Sequence, residues 1–235
     1  MGNRKIICAL DTGDITEAIK LTRKLAPHVG AFKIGHALTL QHGLDVISQL
    51  QDAGANRIFL DLKFHDIPNS VALAVREAAK RHVWMMTLHI SGGPAMLTAA
   101  VEEAREAGVQ DAPLLMGVSV LTSLDQHALT EHLGITRQIT DHMVQMSKLA
   151  VDCGIDGVIC SPQEIRIIRQ AIGHAVIVSP GIRVTSETQD QVRTGSAASA
   201  LSDGADYLVV GRALTATDDV EKALESLGLE PLNSR

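Results

Sequence analysis

Residues 57–90 read RIFLDLKFHDIPNSVALAVREAAKRHVWMMTLHI. Two segments of this stretch, Arg57–Phe64 and Trp84–Ile90, are short and rich in aliphatic residues, as is typical of parallel strands buried on both faces. Between them, Val71–His82 carries apolar residues at helical spacing. A strand, a helix and a second strand in this order predict a parallel sheet that is covered by helices.

The same alternation extends along the whole chain. Strand-like runs occur at Lys5–Leu10, Ala31–Gly35, Arg57–Phe64, Trp84–Ile90, Leu114–Val120, Gly157–Ser161, Ala175–Ser179 and Tyr207–Gly211. Helical spacing is found at Ile15–Leu25, Leu38–Gln51, Val71–His82, Met96–Ala107 and Ile139–Asp152. Eight such units predict a single-domain (β/α)8 TIM barrel of the α/β class over residues 1–235. The alternative, an open doubly wound sheet, is disfavoured because no GxGxxG turn follows the first strand.

The composition restricts the possible partners. The 235 residues are 46% hydrophobic and only 2% aromatic, and the formal net charge is −6. Surfaces that bind nucleic acid need basic patches or several exposed rings, so we expect no nucleic-acid partner. No apolar stretch reaches the roughly 18 residues of a membrane span, and no signal peptide is recognised. The three cysteines lack metal-binding spacing, and a cytoplasmic protein is predicted.

Charged and polar residues interrupt the apolar runs near the ends of the predicted strands. In a TIM barrel the carboxyl ends of the strands carry the chemistry. The residues at these ends are Asp11, Lys33, Asp61, Lys63, His89, Thr122, Ser123, Arg183 and Arg212. Taken singly, each has a structural explanation: Asp11 can cap a helix, and His89 can serve as a structural hydrogen bonder.

The charged residues of the third predicted strand are harder to explain by a structural role alone. Side chains alternate along a strand, so Asp61 and Lys63 are predicted to point to the same face. A structural ion pair is one interpretation. However, Lys33 on the neighbouring strand and Asp66 three residues beyond Lys63 add two further charges. Buried charges are costly unless they are networked, so four alternating charges favour a catalytic array.

The motifs of this chain resemble those of the orotidine 5′-phosphate decarboxylase family. The run DLKFHDIPNS at residues 61–70 is similar to the family signature DxKxxDIPNT, with Ser70 in place of the usual Thr. Asp11, FKIG around Lys33, LTS at residues 121–123, PGIR at 180–183, DQ at 190–191 and VVGRALT at 209–215 follow in the family's order. The resemblance therefore extends over nearly the whole chain.

The resemblance implies a cofactor-free and metal-free decarboxylase that converts orotidine 5′-phosphate to uridine 5′-phosphate. Lys63 would stabilise and protonate a carbanion at C6 of the base, and Asp61 would lie beside the substrate carboxylate. It also implies a homodimer in which Asp66 reaches the neighbouring active site. The remaining substrate contacts would come from Asp11, Lys33, Ile67, Ser70 and Thr122, with Ser123 as the alternative to Thr122. Ile67 and Val158 would form an apolar wall.

A phosphate site is predicted on physical grounds as well. TIM barrels often bind phosphate between the loops that follow strands seven and eight, through glycine amides. Those loops contain Gly181–Arg183, Gly211 and Arg212. Gln191 matches the family position that bridges phosphate and base, and residues 182–191 are long and polar enough to form a lid.

Two other functions are weighed against this one. The first is a metal-dependent relative, a 3-keto-gulonate-6-phosphate decarboxylase or a hexulose-phosphate synthase. Such enzymes also carry a DxKxxD motif, but they have Glu at the position of Lys33. In them the final Asp of this motif is not followed by the residues IPN. The second is a non-catalytic barrel that binds a phosphate ligand, which leaves Asp61, Lys63 and Asp66 without a role.

Overall fold

The computed structural model describes residues 3–107, 112–182 and 195–229. Eight parallel strands close into a barrel in chain order. The strands are β1 Ile6–Ala9, β2 Ala31–Ile34, β3 Ile58–Phe64, β4 Met85–His89, β5 Leu114–Val118, β6 Gly157–Ile159, β7 Val176–Ser179 and β8 Tyr207–Val210. The predicted TIM barrel is confirmed, and every strand lies within its predicted run.

Helices connect the strands on the outside of the barrel. In the described residues they are α1 Ile15–Leu25, α2 His36–His42, α3 Val46–Asp52, α4 Pro68–Ala79, α5 Gly93–Glu106, α6 Ile139–Asp152, α7 Ile165–Ile172, α8 Ala197–Ser202, α9 Arg212–Thr215 and α10 Val220–Ser226. None of these helices combines the length and the apolar character that are needed to cross a lipid bilayer.

One helix prediction is wrong. The segment Leu38–Gln51 was predicted as continuous, but α2 ends at His42 and α3 begins at Val46. Between them Gly43 has φ 67°, in the left-handed region, and a short 3-10 turn follows. A left-handed residue terminates an α-helix, and glycine adopts that conformation without a steric penalty.

The core has two layers, which are separated by the strands. One layer fills the barrel interior and contains Ile7, Ala9, Ala31, Phe59, Met85, Met116, Val178 and Val209. The other lies between the barrel and the helices and takes the alternate strand residues, such as Ile6, Cys8 and Leu60. Because the interior layer is apolar up to Ala9 and Phe59, the charged residues above it lie at the carboxyl-terminal mouth.

At the opposite end of the barrel, Arg169 of α7 joins the segments that lead into β7 and β8. Its guanidinium donates to the carbonyl oxygens of Gly173 at 2.6 Å, Ala175 at 2.7 Å and Gly204 at 2.8 Å. It also pairs with Asp206 at 2.6 Å, whose carboxylate accepts from the amide of Ile177. One side chain thus supplies hydrogen bonds to the carbonyl oxygens of the chain segments that enter β7 and β8.

We predict that Arg169→Ala destabilises the fold without affecting the site at the other end. Loss of this side chain leaves several polar partners unsatisfied, so the free energy of unfolding falls by about 1–3 kcal/mol. Urea unfolding followed by the fluorescence of Trp84, the single tryptophan, measures the change.

Arg166→Ala is the matched control for this experiment. Arg166 is on the same helix, but its side chain is 77% exposed and it pairs only with Asp203 among the described residues. An exposed pair contributes about 0–1 kcal/mol. Equal losses in the two variants would contradict the role assigned to Arg169.

Candidate active site

Four charged side chains meet at the carboxyl-terminal mouth between β1, β2 and β3. Lys33 is in register with Ala9 and with Phe59, one layer below Asp11 and Asp61. Its long stem carries the ammonium up to the level of the two carboxylates. Lys33 Nζ lies 3.3 Å from Asp11 Oδ1 and 3.5 Å from Asp61 Oδ2.

Lys63 extends this row on the other side of Asp61. Its Nζ lies 2.8 Å from Asp61 Oδ1, so one carboxylate bridges two ammonium groups. The side chains of Lys33 and Asp61 are 14% and 15% exposed, Lys63 is 31% exposed, and Asp11 is 71% exposed. The order of the four charges is therefore Asp11, Lys33, Asp61, Lys63. The two side chains at the ends of this row, Asp11 and Lys63, are more exposed than the two in its middle.

Asp61 is held ionised by its neighbours. Burial by itself raises the pKa of this carboxyl, but the charges of Lys33 and Lys63 and the hydrogen bonds from Lys63 and Thr87 outweigh it. The net result is a pKa below the usual range for aspartate. Asp61 is thus a fixed negative charge between two cations at neutral pH.

The end of β3 departs from a regular strand. Leu60 is in register with Met86 and Phe64 with Leu88, so four steps along β3 match two along β4. Within this bulge Lys63 has φ 51°, which is uncommon for a residue with a side chain. Asp61 and Lys63 do meet, as alternation predicted, but they do so across an irregular segment.

Thr87 on β4 is a site residue that the sequence reasoning missed. Its hydroxyl accepts from the Lys63 amide at 2.8 Å and donates to Asp61 Oδ1 at 3.0 Å, and the residue is 1% exposed. The available signal was a polar residue within the apolar run Trp84–Leu88, in alternation with Met85 and His89.

The turn after β3 places three predicted residues near the protein surface. Asp66 and Ile67 are exposed, Ser70 is partly buried, and Asp66 accepts a hydrogen bond from the Ile67 amide at 2.6 Å. Within the described ranges, Asp66 makes no ion pair. Lys63, Asp66 and Ser70 line a groove of about 310 Å³ beside the turn. In one chain, then, Asp11 and not Asp66 is the fourth member of the row.

His89 packs against another imidazole at this end of the barrel. Its ring centroid is 5.3 Å from that of His65. Burial, followed by the proximity of His65 and Lys63, lowers the pKa of His89, so its ring is neutral at pH 7. The expected structural hydrogen bond is not found among the described contacts, and ring packing takes its place.

Val158 does not lie where the predicted apolar wall needs it. Val158 is fully buried in the layer between barrel and helices, and the next residue, Ile159, packs on the interior cluster. Because residues alternate across a strand, only one of the two can face the barrel interior. Val158 therefore faces the helices, and the prediction that it lines an apolar wall of the site is wrong.

The remaining predicted residues lie around the same mouth. Thr122 is half-buried and Ser123 exposed in the turn after β5. Gly211 follows β8 and precedes Arg212, and a Cβ built on Gly211 would lie 3.7 Å from Asp11 Oδ2. Arg183 and Gln191 lie outside the described residues.

Comparisons with known proteins agree with this site. A family model described as "Orotidine 5'-phosphate decarboxylase / HUMPS family" matches residues 4–227. A relative from Moorella thermoacetica is 42% identical over 231 residues, covering 96% of this chain and 91% of its own length. One from Syntrophomonas wolfei is 43% identical, covering 95% of this chain and 96% of its own.

A solved structure gives the same result in three dimensions. The crystal structure of a protein from Lactobacillus acidophilus has a TM-score of 0.84 and 32% identity, and the match covers 96% of this chain and 98% of that one. The chain therefore belongs to the orotidine 5′-phosphate decarboxylase / HUMPS family. The two relatives and the solved structure are all named orotidine 5′-phosphate decarboxylase.

We predict that Asp61→Asn destabilises the protein at pH 7 by about 1–3 kcal/mol, because it leaves two neighbouring ammonium groups without their common partner. The folded-state pKa of Asp61 lies below its unfolded value. Its contribution is thus complete above the unfolded value of about 3.9 and disappears as pH falls through the folded value. Thermal unfolding across this range should show the difference between wild type and variant narrowing in acid.

Glu77→Gln supplies the control, because Glu77 pairs with Lys80 on the surface, with both side chains more than half exposed. Its effect should be small at every pH. A difference for Asp61→Asn that stays constant or grows in acid would contradict the assignment.

Proposed function

We propose that this chain converts orotidine 5′-phosphate to uridine 5′-phosphate and carbon dioxide, a carboxy-lyase reaction of pyrimidine biosynthesis. The observation that carries the proposal is the Lys63 ammonium, held 2.8 Å from Asp61 at the mouth of the barrel. A reaction that creates negative charge on a carbon atom needs a fixed positive charge next to that atom. Relatives above 40% identity that bear this enzyme's name support the substrate.

In the proposed reaction the bond between C6 and the carboxylate carbon breaks. Carbon dioxide leaves, and the electron pair of that bond stays on C6. The Lys63 ammonium stabilises this pair and then transfers a proton to C6, which leaves a neutral amine that water reprotonates. The charge on C6 exists only after the bond begins to break, so the ammonium stabilises the transition state more than the substrate.

The other polar residues are proposed to hold the substrate. Asp11 and Lys33 bind the ribose hydroxyls, and Thr122 contacts the amide edge of the base. Gly211 and Arg212, together with Arg183 and Gln191, bind the phosphate. Support comes from the order of the strands: β8 pairs with β1, and Gly211 after β8 lies beside Asp11 after β1, so the proposed phosphate and ribose positions are neighbours.

The metal-dependent alternative is disfavoured by the position of Lys33. Its ammonium lies between Asp11 and Asp61, the two carboxylates that a divalent cation in this row would use. A cation there would be repelled by a fixed positive charge only a few ångströms away. A non-catalytic phosphate-binding barrel is disfavoured because it assigns no role to the buried Asp61.

We predict that purified protein converts orotidine 5′-phosphate in the presence of EDTA at an undiminished rate. Lys63→Ala should lower turnover by more than about a thousandfold, because it removes both the positive charge and the proton donor. The change in ultraviolet absorbance of the pyrimidine measures the conversion.

Lys80→Ala is the control, since Lys80 is a half-exposed lysine at the end of α4 that pairs with Glu77. Loss of activity with EDTA would favour the metal-dependent enzymes, and absence of turnover in the wild type would favour the binding protein. Substantial activity in Lys63→Ala would overturn the role of that residue.

We further propose a homodimer in which Asp66 of each subunit enters the active site of the other. Three features of the turn and of α4 support it: Asp66 is exposed and forms no ion pair among the described residues, Ile67 is 66% exposed, and Leu73 is 48% exposed. Apolar side chains of this size at the surface, next to a charged groove, are typical of subunit interfaces.

We predict that two inactive variants, Lys63→Ala and Asp66→Ala, restore activity when their subunits are mixed. A mixed dimer has one site with both residues intact, so random pairing gives about a quarter of the wild-type activity. Co-refolding of the two variants followed by the turnover assay measures this.

The control mixture is Lys63→Ala with Asp61→Ala, because these residues come from the same chain and every site then lacks one of them. A result in which both mixtures stay inactive would contradict the shared site.

The setting of the reaction is also a proposal. None of the three cysteines, Cys8, Cys153 and Cys160, forms a disulfide, in keeping with the reducing cytoplasm that we propose as the compartment. The net charge of −6 disfavours nucleic acid as a partner, and we propose that the whole chain acts as one catalytic domain.

A further inference from the structure

Thr87 on β4 connects the backbone of Lys63 to the carboxylate of Asp61, both of which belong to β3. Its hydroxyl accepts a hydrogen bond from the Lys63 amide at 2.8 Å. The same hydroxyl donates to Asp61 Oδ1 at 3.0 Å. Asp61 Oδ1 is also the atom that contacts Lys63 Nζ, at 2.8 Å. These contacts form a closed ring of hydrogen bonds through Thr87, Asp61, and the backbone and side chain of Lys63.

The ring has a fixed direction. The Thr87 hydroxyl has a single proton, and this proton goes to the carboxylate, because Asp61 is ionised and accepts only. Its lone pair is therefore available for the Lys63 N–H. A hydroxyl at this position can satisfy both groups at once, whereas a methyl group can satisfy neither.

The backbone of Lys63 needs such a partner. The residue lies in a bulge of β3 with φ 51°, and a bulge interrupts the ladder of hydrogen bonds to the next strand. Its amide is directed at a side chain of β4 instead of a β4 carbonyl. Without that acceptor, a partly buried N–H would be unsatisfied in a conformation that the chain seldom adopts.

We infer that Thr87 is a positioning residue for the proposed decarboxylation: it holds the bulge of β3 so that the Lys63 ammonium is fixed beside Asp61. Thr87 acts through Lys63 and Asp61 and does not itself contact the substrate. The inference rests on the proposed function for its effect on turnover, and on the geometry alone for its effect on the backbone.

A packing role is the competing explanation, because Thr87 is 1% exposed and lies one layer above Met85 of the interior cluster. The two explanations differ in which atom of the side chain matters. Packing depends on the methyl group and on volume, so valine would replace threonine and serine would not. Positioning depends on the hydroxyl, so serine would replace threonine and valine would not.

The experiment compares Thr87→Val and Thr87→Ser with the wild type. We expect kcat of Thr87→Val to fall about 10- to 100-fold, with KM for orotidine 5′-phosphate changed by less than about threefold, since the ammonium is displaced while the other substrate contacts remain. Thr87→Ser should keep kcat within about threefold of the wild type.

The pH profile gives a second readout. Asp61 faces Lys33 of β2, Lys63 of β3 and Thr87 of β4, with His89 nearby and Asp11 beyond Lys33. The hydrogen bond from Thr87 is among the effects that lower the pKa of Asp61. Its loss raises that pKa, so the acid limb of kcat/KM should move to higher pH in Thr87→Val and not in Thr87→Ser.

Thr22→Val is the matched control. Thr22 is also a fully buried threonine, and its hydroxyl donates to the Ala18 carbonyl at 2.8 Å within α1, away from the mouth. This variant should change the melting temperature at most, and leave kcat and the pH profile as in the wild type.

Amide hydrogen exchange at Lys63 tests the inference without turnover. Exchange should be faster in Thr87→Val than in the wild type and unchanged in Thr87→Ser. Wild-type kcat and wild-type exchange in Thr87→Val would overturn the inference, and so would equal damage by valine and serine. Absence of turnover in the wild type would overturn the proposed function instead, while the exchange measurement would still decide the role of Thr87.

Discussion

The carboxylate of Asp61, held between the ammonium groups of Lys33 and Lys63, is the interaction on which the active site depends. Burial alone would raise the pKa of Asp61, because a carboxylate at this depth is costly without a cation beside it. The charges of Lys33 and Lys63 outweigh this effect, lower the pKa of Asp61 and keep its charge in place. An enzyme that uses a lysine as its electrostatic catalyst needs such a carboxylate, because an ammonium without a fixed partner is free to move.

The barrel supports this cluster by separating apolar and charged layers along its axis. Phe59 and Met85 belong to an interior cluster, and the residues two positions further along their strands are Asp61 and Thr87. Along both strands, one inward-facing side chain is thus apolar and the next inward-facing side chain is polar. At the far end Arg169 and its carbonyl partners hold the segments that enter β7 and β8, far from the irregular backbone and the buried charges of the mouth.

The sequence predicted the strands and most of the charged row because both are visible as local patterns. A lysine or an aspartate at the end of an apolar run is conspicuous, and Asp11, Lys33, Asp61 and Lys63 were all found in this way. Thr87 was missed because its importance comes from the neighbouring strand. Its hydroxyl matters only because β3 bulges, and a bulge depends on the register between two strands, which neither strand encodes by itself.

The same distinction explains why Val158 was predicted for the apolar wall although its neighbour Ile159 is the residue on the interior side of β6. Both fit an apolar wall by chemistry, and only the phase of β6 relative to the barrel decides which one faces inward. Residue type is readable from sequence, whereas phase and register depend on tertiary structure. Positions near the irregular ends of strands are thus where sequence reasoning is weakest, and in this fold they are also where the chemistry lies.

The order of charges is also the reason for proposing that a second subunit contributes to the site. Among the described residues of a single chain the row alternates from Asp11 to Lys63, so it ends on a cation for which only Asp61 is an acidic neighbour. Lys63 has three N–H donors, and the described contacts direct one of them at Asp61. Continued alternation requires an anion next, and the exposed Asp66 has the right charge but lies in the surface turn of its own chain. In the proposed dimer, Asp66 of the second subunit would lie beside Lys63 and complete the alternation, which would leave a third N–H of the ammonium for the carbon that must be protonated.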